Sequence, residues 1–240
     1  MPGLHVETIG AGPRLVLVHG SVGGGGATWS GQRPLAERFT LVIPERSGYP
    51  PNPPLDRIDF ERQAEELAEL LQPGDHLVGH SYGGVVSLLT AALRPDAPRS
   101  LTVNEPPAFG LARGDPAVEA FVGEIASAPR EPRAYLEYFL PRVGSALQLP
   151  DPLPDALEAG GRAALAERPP WEAEIPLDAL AATPFPKLVV SGGHHPAFDA
   201  VSDVLEDRLG AERAVVRGAG HSIPRAPGYN ERLVAFLDAA

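Results

Sequence analysis

The sequence predicts an α/β protein, in which helices flank a mostly parallel β-sheet. Short apolar runs rich in β-branched residues alternate along the chain with longer segments of helical periodicity, a pattern typical of βα units. Most of the apolar runs are nearly continuous, as expected for strands that are buried on both faces. The chain has 240 residues, which is enough for one large domain of this class.

Six short apolar runs are predicted to be interior strands, and residues 4–8 are predicted to add an edge strand. Because the interior strands are expected to be parallel, their carboxyl ends should meet at one edge of the sheet. In chain order the interior strands are residues 14–19, 39–43, 76–79, 100–103, 187–191 and 213–216.

The helices are predicted from apolar residues that recur at spacings of three and four. In residues 59–71, for example, Phe60, Ala64, Leu67 and Leu71 form one apolar stripe, while four glutamates lie elsewhere. Such a stripe is typical of a face packed in the protein core rather than of a ligand site. In chain order the helices are residues 28–38, 59–71, 82–93, 197–209 and 229–239.

The alternation of strands and helices stops at residues 106–186, a stretch too long for a plain connection in a compact domain. We therefore predict a core domain formed by residues 1–105 and 187–240, with residues 106–186 as a helical cap over the carboxyl edge of the sheet. A second independent domain fits less well, because strands of one sheet flank the segment on both sides. Its helical segments, separated by proline-rich joints, are residues 117–128, 133–140 and 155–167.

Composition excludes several classes of protein. The formal net charge of −11 removes the basic surface that nucleic-acid binding requires, so no nucleic-acid partner is expected. The chain has no cysteine, which excludes disulfides, thiolate metal sites and cysteine nucleophiles. No signal-like segment opens the sequence and no apolar stretch approaches about 18 residues, so we expect a cytoplasmic protein with no membrane partner.

Residues 79–83 read Gly-His-Ser-Tyr-Gly, a G-x-S-x-G motif between a predicted strand and a predicted helix. A turn this sharp forces Ser81 into strained backbone angles, and the flanking glycines let neighbouring backbone approach without a Cβ clash. The hydroxyl of Ser81 is then exposed above the sheet at the start of a helix, the position of a nucleophile. A serine that only caps the helix is the alternative, and the motif alone is short enough to occur by chance.

A glycine-rich stretch, residues 20–26, follows the most apolar strand. It lacks the lysine, the G-x-G-x-x-G spacing and the acidic residue of nucleotide-binding loops, so no nucleotide cofactor is expected. We predict instead that the backbone N–H of Ser21 and that of Tyr82 form an oxyanion hole, which stabilises negative charge on a reacting oxygen.

His221 lies in a glycine-flanked loop after the last predicted strand and is the candidate general base. At the carboxyl end of a strand its ring is free to approach a serine, and histidine exchanges protons near neutral pH. His5 and His76 are expected to be surface or structural residues, and His19 is expected to pack beneath the glycine-rich loop.

With these motifs the sequence resembles the α/β-hydrolase superfamily, and in particular its capped esterase, lipase and haloperoxidase-like members. The resemblance covers nearly the whole chain and implies an α/β-hydrolase fold with a helical cap inserted after the sixth strand. It also implies hydrolysis with Ser81 as nucleophile and without a metal or another cofactor. The matching features, in chain order, are His19-Gly20, the turn at residues 44–48, the motif at residues 79–83, the insertion and Gly220-His221.

The acidic member of a catalytic triad has two candidates. The resemblance implies an acidic residue a few positions beyond a glycine after the strand that follows the cap, but that place reads Gly192-Gly193-His194-His195. Other members of the superfamily take the acid from the end of the preceding strand, which corresponds to Glu105. We favour Glu105 over Asp199, which lies in a predicted helix, and over a Ser-His dyad without an acid.

Together these features predict a serine hydrolase that cleaves a carboxylic ester of a small, fairly apolar molecule through an acyl-enzyme on Ser81. Lactonase, thioesterase or C–C bond hydrolase activity on a small metabolite would use the same residues. A non-catalytic ligand-binding relative is the alternative from a different class, because a histidine holds the usual acid position. Aromatic residues of the predicted cap that can line an apolar pocket are Phe109, Phe121, Tyr135, Tyr138, Phe139 and Trp171.

Overall fold

A seven-stranded β-sheet forms the centre of the protein, which the computed structural model describes from residue 4 to residue 240. In chain order the strands are Val6–Ile9 (β1), Arg14–Val18 (β2), Thr40–Pro44 (β3), Asp75–His80 (β4), Pro98–Asn104 (β5), Lys187–Ser191 (β6) and Glu212–Val215 (β7). Their order across the sheet is β1-β3-β2-β4-β5-β6-β7, with β1 antiparallel to β3 and every other pair parallel. The predicted mostly parallel sheet with an added edge strand is confirmed.

The register of the central strands brings their carboxyl ends together. Gly79 of β4 lies opposite Val18 of β2 on one side and Val103 of β5 on the other. Asn104, the last residue of β5, lies opposite Val190 of β6. Residues that follow these strands therefore meet at one edge of the sheet, where ligands bind in open α/β sheets.

Helices cover both faces of the sheet. They are Gly25–Thr28 (α1), Phe60–Leu70 (α2), Tyr82–Leu93 (α3), Pro116–Ala126 (α4), Pro132–Arg142 (α5), Asp155–Ala166 (α6), Leu177–Ala181 (α7), Pro196–Leu209 (α8) and Tyr229–Ala239 (α9). Val16 and Val18 of β2 pack in a cluster with residues of α2, α3 and α8, while Leu15 and Leu17 pack on the other face with residues of α9. Across the described residues, none of these helices combines the length and the apolar character that spanning a bilayer would need.

Local sequence signals explain where several helices begin and end. Asp115 and Glu131 accept hydrogen bonds from first-turn amides of α4 and α5, and a proline occupies the first position of each helix. The Nδ1 of His195 accepts the Ala197 N–H at 3.2 Å at the start of α8, and Gly210 ends that helix with a φ of 60°. The predicted segments agree with these three helices to within two residues at each end.

The predicted helix over residues 28–38 is wrong. The segment forms instead the end of the short α1 and a 3₁₀ helix over Ser30–Glu37. Pro34 lies inside this 3₁₀ helix. Because proline has no N–H to donate and its ring collides with the preceding turn, a regular α-helix is unfavourable at this position.

The long segment between β5 and β6, which we call the inserted segment (residues 106–186), follows the fifth strand of the chain and not the sixth. The expected count is wrong because a single strand, β1, precedes β2 in the described chain, so five strands have formed before residue 106. The segment contains α4 to α7. It shares the main hydrophobic cluster of the protein, since Phe109, Phe121 and Leu180 pack there with residues of the sheet.

Candidate active site

Ser81 lies in a sharp turn between β4 and α3. It has a φ of 52° and a ψ of −126°, a backbone conformation that is unfavourable for a residue with a Cβ. The surrounding backbone requires glycine on either side: a Cβ on Gly83 would collide with the carbonyl oxygen of His19, and one on Gly79 with the carbonyl oxygen of Gly83. The strain expected from the G-x-S-x-G motif is present, and the turn fixes the Ser81 side chain at the edge of the sheet.

His221 lies in the loop after β7, beside Ser81. Its Nε2 is 2.9 Å from the Oγ of Ser81, and its Nδ1 is 2.7 Å from the Oε2 of Glu105. The backbone N–H of His221 donates to the carbonyl oxygen of Gly144 at 3.2 Å, which ties this loop to the inserted segment. The residues are buried, with exposed fractions of 7% for Ser81, 7% for His221 and 1% for Glu105. One chain of hydrogen bonds therefore joins the three side chains.

Glu105 directly follows β5 and has a φ of 43°, a left-handed conformation. Its Oε1 accepts the N–H of Gly192 at 2.6 Å. Burial opposes ionisation of this carboxyl, but the contacts with His194 and His221 outweigh it and lower the pKa of Glu105 to about 2. The carboxylate is therefore charged at neutral pH and accepts the Nδ1–H of His221, which leaves Nε2 free to accept the hydroxyl proton of Ser81.

The structure does not bring the alternative acid, Asp199, to His221. Asp199 lies in the first turn of α8, where its carboxylate pairs with Arg213 at 3.1 Å. His194, in the place where the resemblance implied an acid, has its Nδ1 3.3 Å from the Oε1 of Glu105. The carboxylate within reach of the His221 ring thus comes from the end of β5.

The two amides predicted to form an oxyanion hole belong to segments that adjoin Ser81. Tyr82 is the first residue of α3, where backbone N–H groups lack helical partners. Gly20 packs against the turn, since an added Cβ on it would lie 2.9 Å from the Cβ of Ser81, and Ser21 follows it in the chain. Within residues 4–240, neither the Ser21 N–H nor the Tyr82 N–H has a hydrogen-bond partner.

A largely buried ion pair beside the glycine-rich loop was missed by the sequence analysis. The Nη2 of Arg46 is 2.6 Å from the Oε1 of Glu167, and this oxygen also accepts the Tyr49 hydroxyl at 2.8 Å. The Oε2 of Glu167 accepts the hydroxyl of Ser21 at 2.5 Å. The pair connects the turn after β3 with the end of α6. Because its partners are 121 residues apart, no local sequence signal reveals it.

Three other histidines near the sheet have structural contacts. His19 is fully buried, its Nε2 accepts the backbone N–H of Arg46 at 2.9 Å, and burial holds its pKa well below the ordinary value. His80 packs 4.9 Å from the ring of His221, and burial lowers its pKa to about 3. His76 lies 2.7 Å from a serine hydroxyl within the sheet. Across the described chain, no group of three or more histidine, aspartate or glutamate side chains could hold a metal ion.

A pocket of about 220 Å³ opens onto Ser81 and His221. It is smaller than the roughly 300 to 1,000 Å³ of typical pockets for drug-sized ligands. Tyr138 does not line it, because its hydroxyl points to the carbonyl oxygen of Glu124 at 3.0 Å. The other aromatic residues expected in the pocket wall are found there: Phe109, Phe121, Tyr135, Phe139 and Trp171.

Comparison of the sequence with known proteins places it in one family. The sequence model of the alpha/beta hydrolase family matches residues 15–234. A pimeloyl-[acyl-carrier protein] methyl ester esterase from Methylococcus capsulatus is 38% identical over 120 residues, which cover 49% of this chain and 47% of that protein, so the match spans about half the length of the relative. The dihydrolipoyllysine-residue acetyltransferase component of the acetoin cleaving system from Pseudomonas putida is 30% identical over 241 residues, covering 94% of this chain and 64% of that protein.

The fold is also found among solved structures. The crystal structure of an alpha/beta hydrolase from Sphaerobacter thermophilus aligns with a TM-score of 0.69 and 24% sequence identity, covering 98% of this chain and 96% of that chain. At this level of identity the likeness concerns the fold alone. The family match and the observed sheet order agree, and the chain belongs to the alpha/beta hydrolase family.

Proposed function

We propose that this protein is a serine hydrolase that cleaves a carboxylic ester of a small, fairly apolar molecule. The observation that carries the proposal is the chain of hydrogen bonds from Ser81 Oγ to His221 at 2.9 Å and from His221 to Glu105 at 2.7 Å. The hydroxyl has a base within reach, and the base has a charged acceptor that fixes its tautomer. A serine that only caps a helix needs neither partner, and within residues 4–240 the Ser81 side chain makes no hydrogen bond to the first turn of α3.

In the first half of the proposed reaction, Ser81 Oγ attacks the carbonyl carbon of the ester while its proton passes to Nε2 of His221. The carbonyl oxygen takes up negative charge, and we assign its stabilisation to the N–H groups of Ser21 and Tyr82. The tetrahedral intermediate then expels the alcohol, which receives the proton from His221, and the acyl group remains on Ser81. Glu105 stays ionised and stabilises the imidazolium that forms in between.

Water completes the cycle. His221 accepts a proton from the water molecule as the water oxygen attacks the acyl carbon. The bond to Ser81 Oγ then breaks, the carboxylic acid leaves, and His221 returns the proton to the serine oxygen. Because each step uses only side chains and amides of this chain, we propose that no cofactor takes part.

The pocket supports a small and largely apolar acyl group. Its volume of about 220 Å³ and its aromatic walls suit a short hydrocarbon chain better than a large acyl group. Relatives that match about half of the chain are named methyl ester esterases, which supports an ester as the substrate. The net charge of −11 supports a small-molecule partner rather than nucleic acid.

We further propose that residues 106–186 act as a cap on a core domain formed by residues 1–105 and 187–240, of which residues 1–3 lie outside the described part. Phe121 of α4 and Phe139 of α5 come from the inserted segment and line the same pocket as Ser81. Substitutions in these walls would therefore change which acyl groups fit, while the reacting groups stay on the sheet.

The proposal is tested by hydrolysis of p-nitrophenyl esters from acetate to octanoate. Ser81→Ala is expected to lose at least about 10⁴-fold in kcat, because the attack on the carbonyl needs the hydroxyl. Ser202→Ala is a matched control: it removes a buried hydroxyl that donates to the Phe198 carbonyl within α8, and it should stay within about threefold of the wild type. Turnover by Ser81→Ala within about tenfold of the wild type would show that another group is the nucleophile.

A further inference from the structure

His194 is a titratable side chain that the proposed mechanism does not use. Its ring contacts three separate parts of the protein: the carboxylate of Glu105, the carbonyl of Val143 at the end of α5, and the ring of Phe198 in α8. The rings of His194 and Phe198 stack with their centroids 5.8 Å apart. A Cβ on Gly144 would lie 2.5 Å from the imidazole, so only glycine admits the ring there. The imidazole is fixed between the sheet edge and the inserted segment.

Both ring nitrogens of His194 face hydrogen-bond acceptors. Nε2 is 3.1 Å from the carbonyl oxygen of Val143, and Nδ1 is 3.3 Å from the Oε1 of Glu105. A neutral imidazole carries a proton on only one nitrogen, so one lone pair would point at an oxygen. Nδ1 is buried, and within residues 4–240 it has no hydrogen-bond partner of good geometry, so its contact with Glu105 at 3.3 Å is that of an ion pair. Protons on both nitrogens make both contacts attractive.

The charged groups around His194 favour the cation. Burial lowers its pKa, but the carboxylate of Glu105 outweighs burial and raises the pKa of His194 above the ordinary value. Asp199 faces the ring from α8 but is paired with Arg213 at 3.1 Å. Burial and the neighbouring His194 lower the pKa of His195, so that ring stays neutral and caps α8.

Two further elements beside His194, the end of α5 and the loop after β7, also carry titratable groups. In the inserted segment, Arg142 is paired with Glu124 at 2.7 Å. The ring of His221 has its centroid 6.4 Å from that of His194, and both rings contact Glu105. The carboxylate of Glu105, 3.3 Å from Nδ1, is therefore the anion in direct contact with the His194 ring.

We propose that His194 is a positively charged positioning residue that shares the carboxylate of Glu105 with His221. The two histidines use different oxygens, His194 at Oε1 and His221 at Oε2. The charge of His194 holds the carboxylate in place and cancels part of the negative potential that Glu105 creates at His221. This inference rests on the proposed function, in which Glu105 orients the catalytic base.

The charge on His194 sets the pH range of activity. At an effective dielectric constant of about 20, a unit charge 6.4 Å from the His221 ring shifts a protonation equilibrium by up to about two pH units. A cation at residue 194 disfavours the protonated base, which is the inactive form. Removal of the charge therefore moves the acid limb of kcat/KM to higher pH, and the wild type is the faster enzyme on the acid side.

The variant His194→Gln tests this role, because glutamine keeps an N–H donor for Glu105 but carries no charge. The acid limb of kcat/KM is expected to move up by about one to two pH units, with the alkaline plateau within about threefold of the wild type. His195→Asn is the matched control, since asparagine retains an acceptor for the Ala197 N–H, and its limb should not move. The proposal would be overturned if the acid limb of kcat/KM of His194→Gln did not move. It would also be overturned if the variant lost the same fraction of its rate at every pH.

A second measurement does not depend on activity. In ¹⁵N NMR of histidine-labelled Ser81→Ala protein, both nitrogens of His194 are expected to be protonated at about pH 6.5, where a solvated histidine is about half protonated. In the Ser81→Ala, Glu105→Gln double variant that signal should become the neutral form. An unprotonated nitrogen on His194 in the Ser81→Ala protein would overturn the proposal even if the wild type hydrolyses esters. A doubly protonated His194 in the Ser81→Ala protein, together with a wild type that hydrolyses no ester, would instead refute the proposed function and leave this proposal standing.

Discussion

Replacement of Glu105 by glutamine tests the hydrogen-bond geometry behind the proposed mechanism. Glutamine has the shape of glutamate but offers one oxygen and one NH₂ group. The Oε1 side faces the Gly192 N–H at 2.6 Å and the Nδ1 of His194 at 3.3 Å, so the amide oxygen belongs there. The NH₂ group then faces Nδ1 of His221, which has to be unprotonated to accept it. His221 would carry its proton on Nε2, the nitrogen that should accept the proton of Ser81.

The wrong tautomer has a large expected cost. By analogy with the acid of serine-protease triads, kcat should fall by about 10³- to 10⁴-fold.

The same substitution changes how the free energy of unfolding depends on pH. Because the pKa of Glu105 is lowered from an ordinary value of 4.5 to about 2, its ionised form stabilises the native protein by about 3 kcal/mol above pH 4.5, and this contribution is lost as the pH falls towards 2. Glutamine cannot ionise, so the contribution of the ionised carboxylate to the free energy of unfolding is absent in the variant.

The assay is the initial rate of p-nitrophenyl acetate hydrolysis, with urea unfolding at neutral pH and at about pH 3 to follow stability. Asp199→Asn is the control: it breaks the pair between Asp199 on α8 and Arg213 on β7 and should cost less than about tenfold in kcat. If Glu105→Gln reduced kcat only slightly and Asp199→Asn reduced it strongly, the assignment of Glu105 as the acidic residue would be refuted. If both variants were mild, a Ser-His dyad would carry the reaction.

Two further changes test the surroundings of the site. Glu167→Gln leaves the buried guanidinium of Arg46 without a charged partner and should lower the free energy of unfolding in urea by about 3 kcal/mol. Glu172→Gln breaks a pair with Arg168 that is more exposed and should cost at most about 1 kcal/mol, and equal losses would contradict this difference. Phe139→Ala widens one wall of the pocket and should raise kcat/KM for the octanoate ester relative to the acetate ester by roughly tenfold. An unchanged ratio would show that Phe139 does not limit the acyl chain.

Periodicity predicted the elements whose burial follows a simple pattern. The boundaries of β6 (Lys187–Ser191), α3 (Tyr82–Leu93) and α9 (Tyr229–Ala239) match the predicted segments residue for residue. Residues 28–38 also have helical spacing, but Pro34 interrupts the hydrogen bonds that an α-helix needs. The spacing of apolar residues indicates which face of a segment is buried. It does not indicate whether the backbone can donate every hydrogen bond that a helix needs.

Part of the candidate site could be predicted because parallel strands bring their ends together. Ser81 follows β4 and Glu105 follows β5, so the sequence alone predicts that both lie at the same edge of the sheet. The pair between Arg46 and Glu167 could not be predicted, since it depends on how the inserted segment folds back over 121 residues. The sequence marked His194 as unusual, but its contact with Glu105 depends on side-chain geometry.

The central claim is that Ser81 forms a covalent acyl-enzyme, and labelling with a fluorophosphonate tests it most directly. The probe reacts with an activated serine by losing fluoride to form a phosphonate ester on the serine oxygen. Intact-mass measurement of the wild type should show one adduct per chain, and peptide mapping should place it on Ser81. Ser81→Ala should remain unlabelled, and Glu105→Gln should react much more slowly than the wild type. An unmodified wild-type chain, or an adduct on any other residue, would contradict the account.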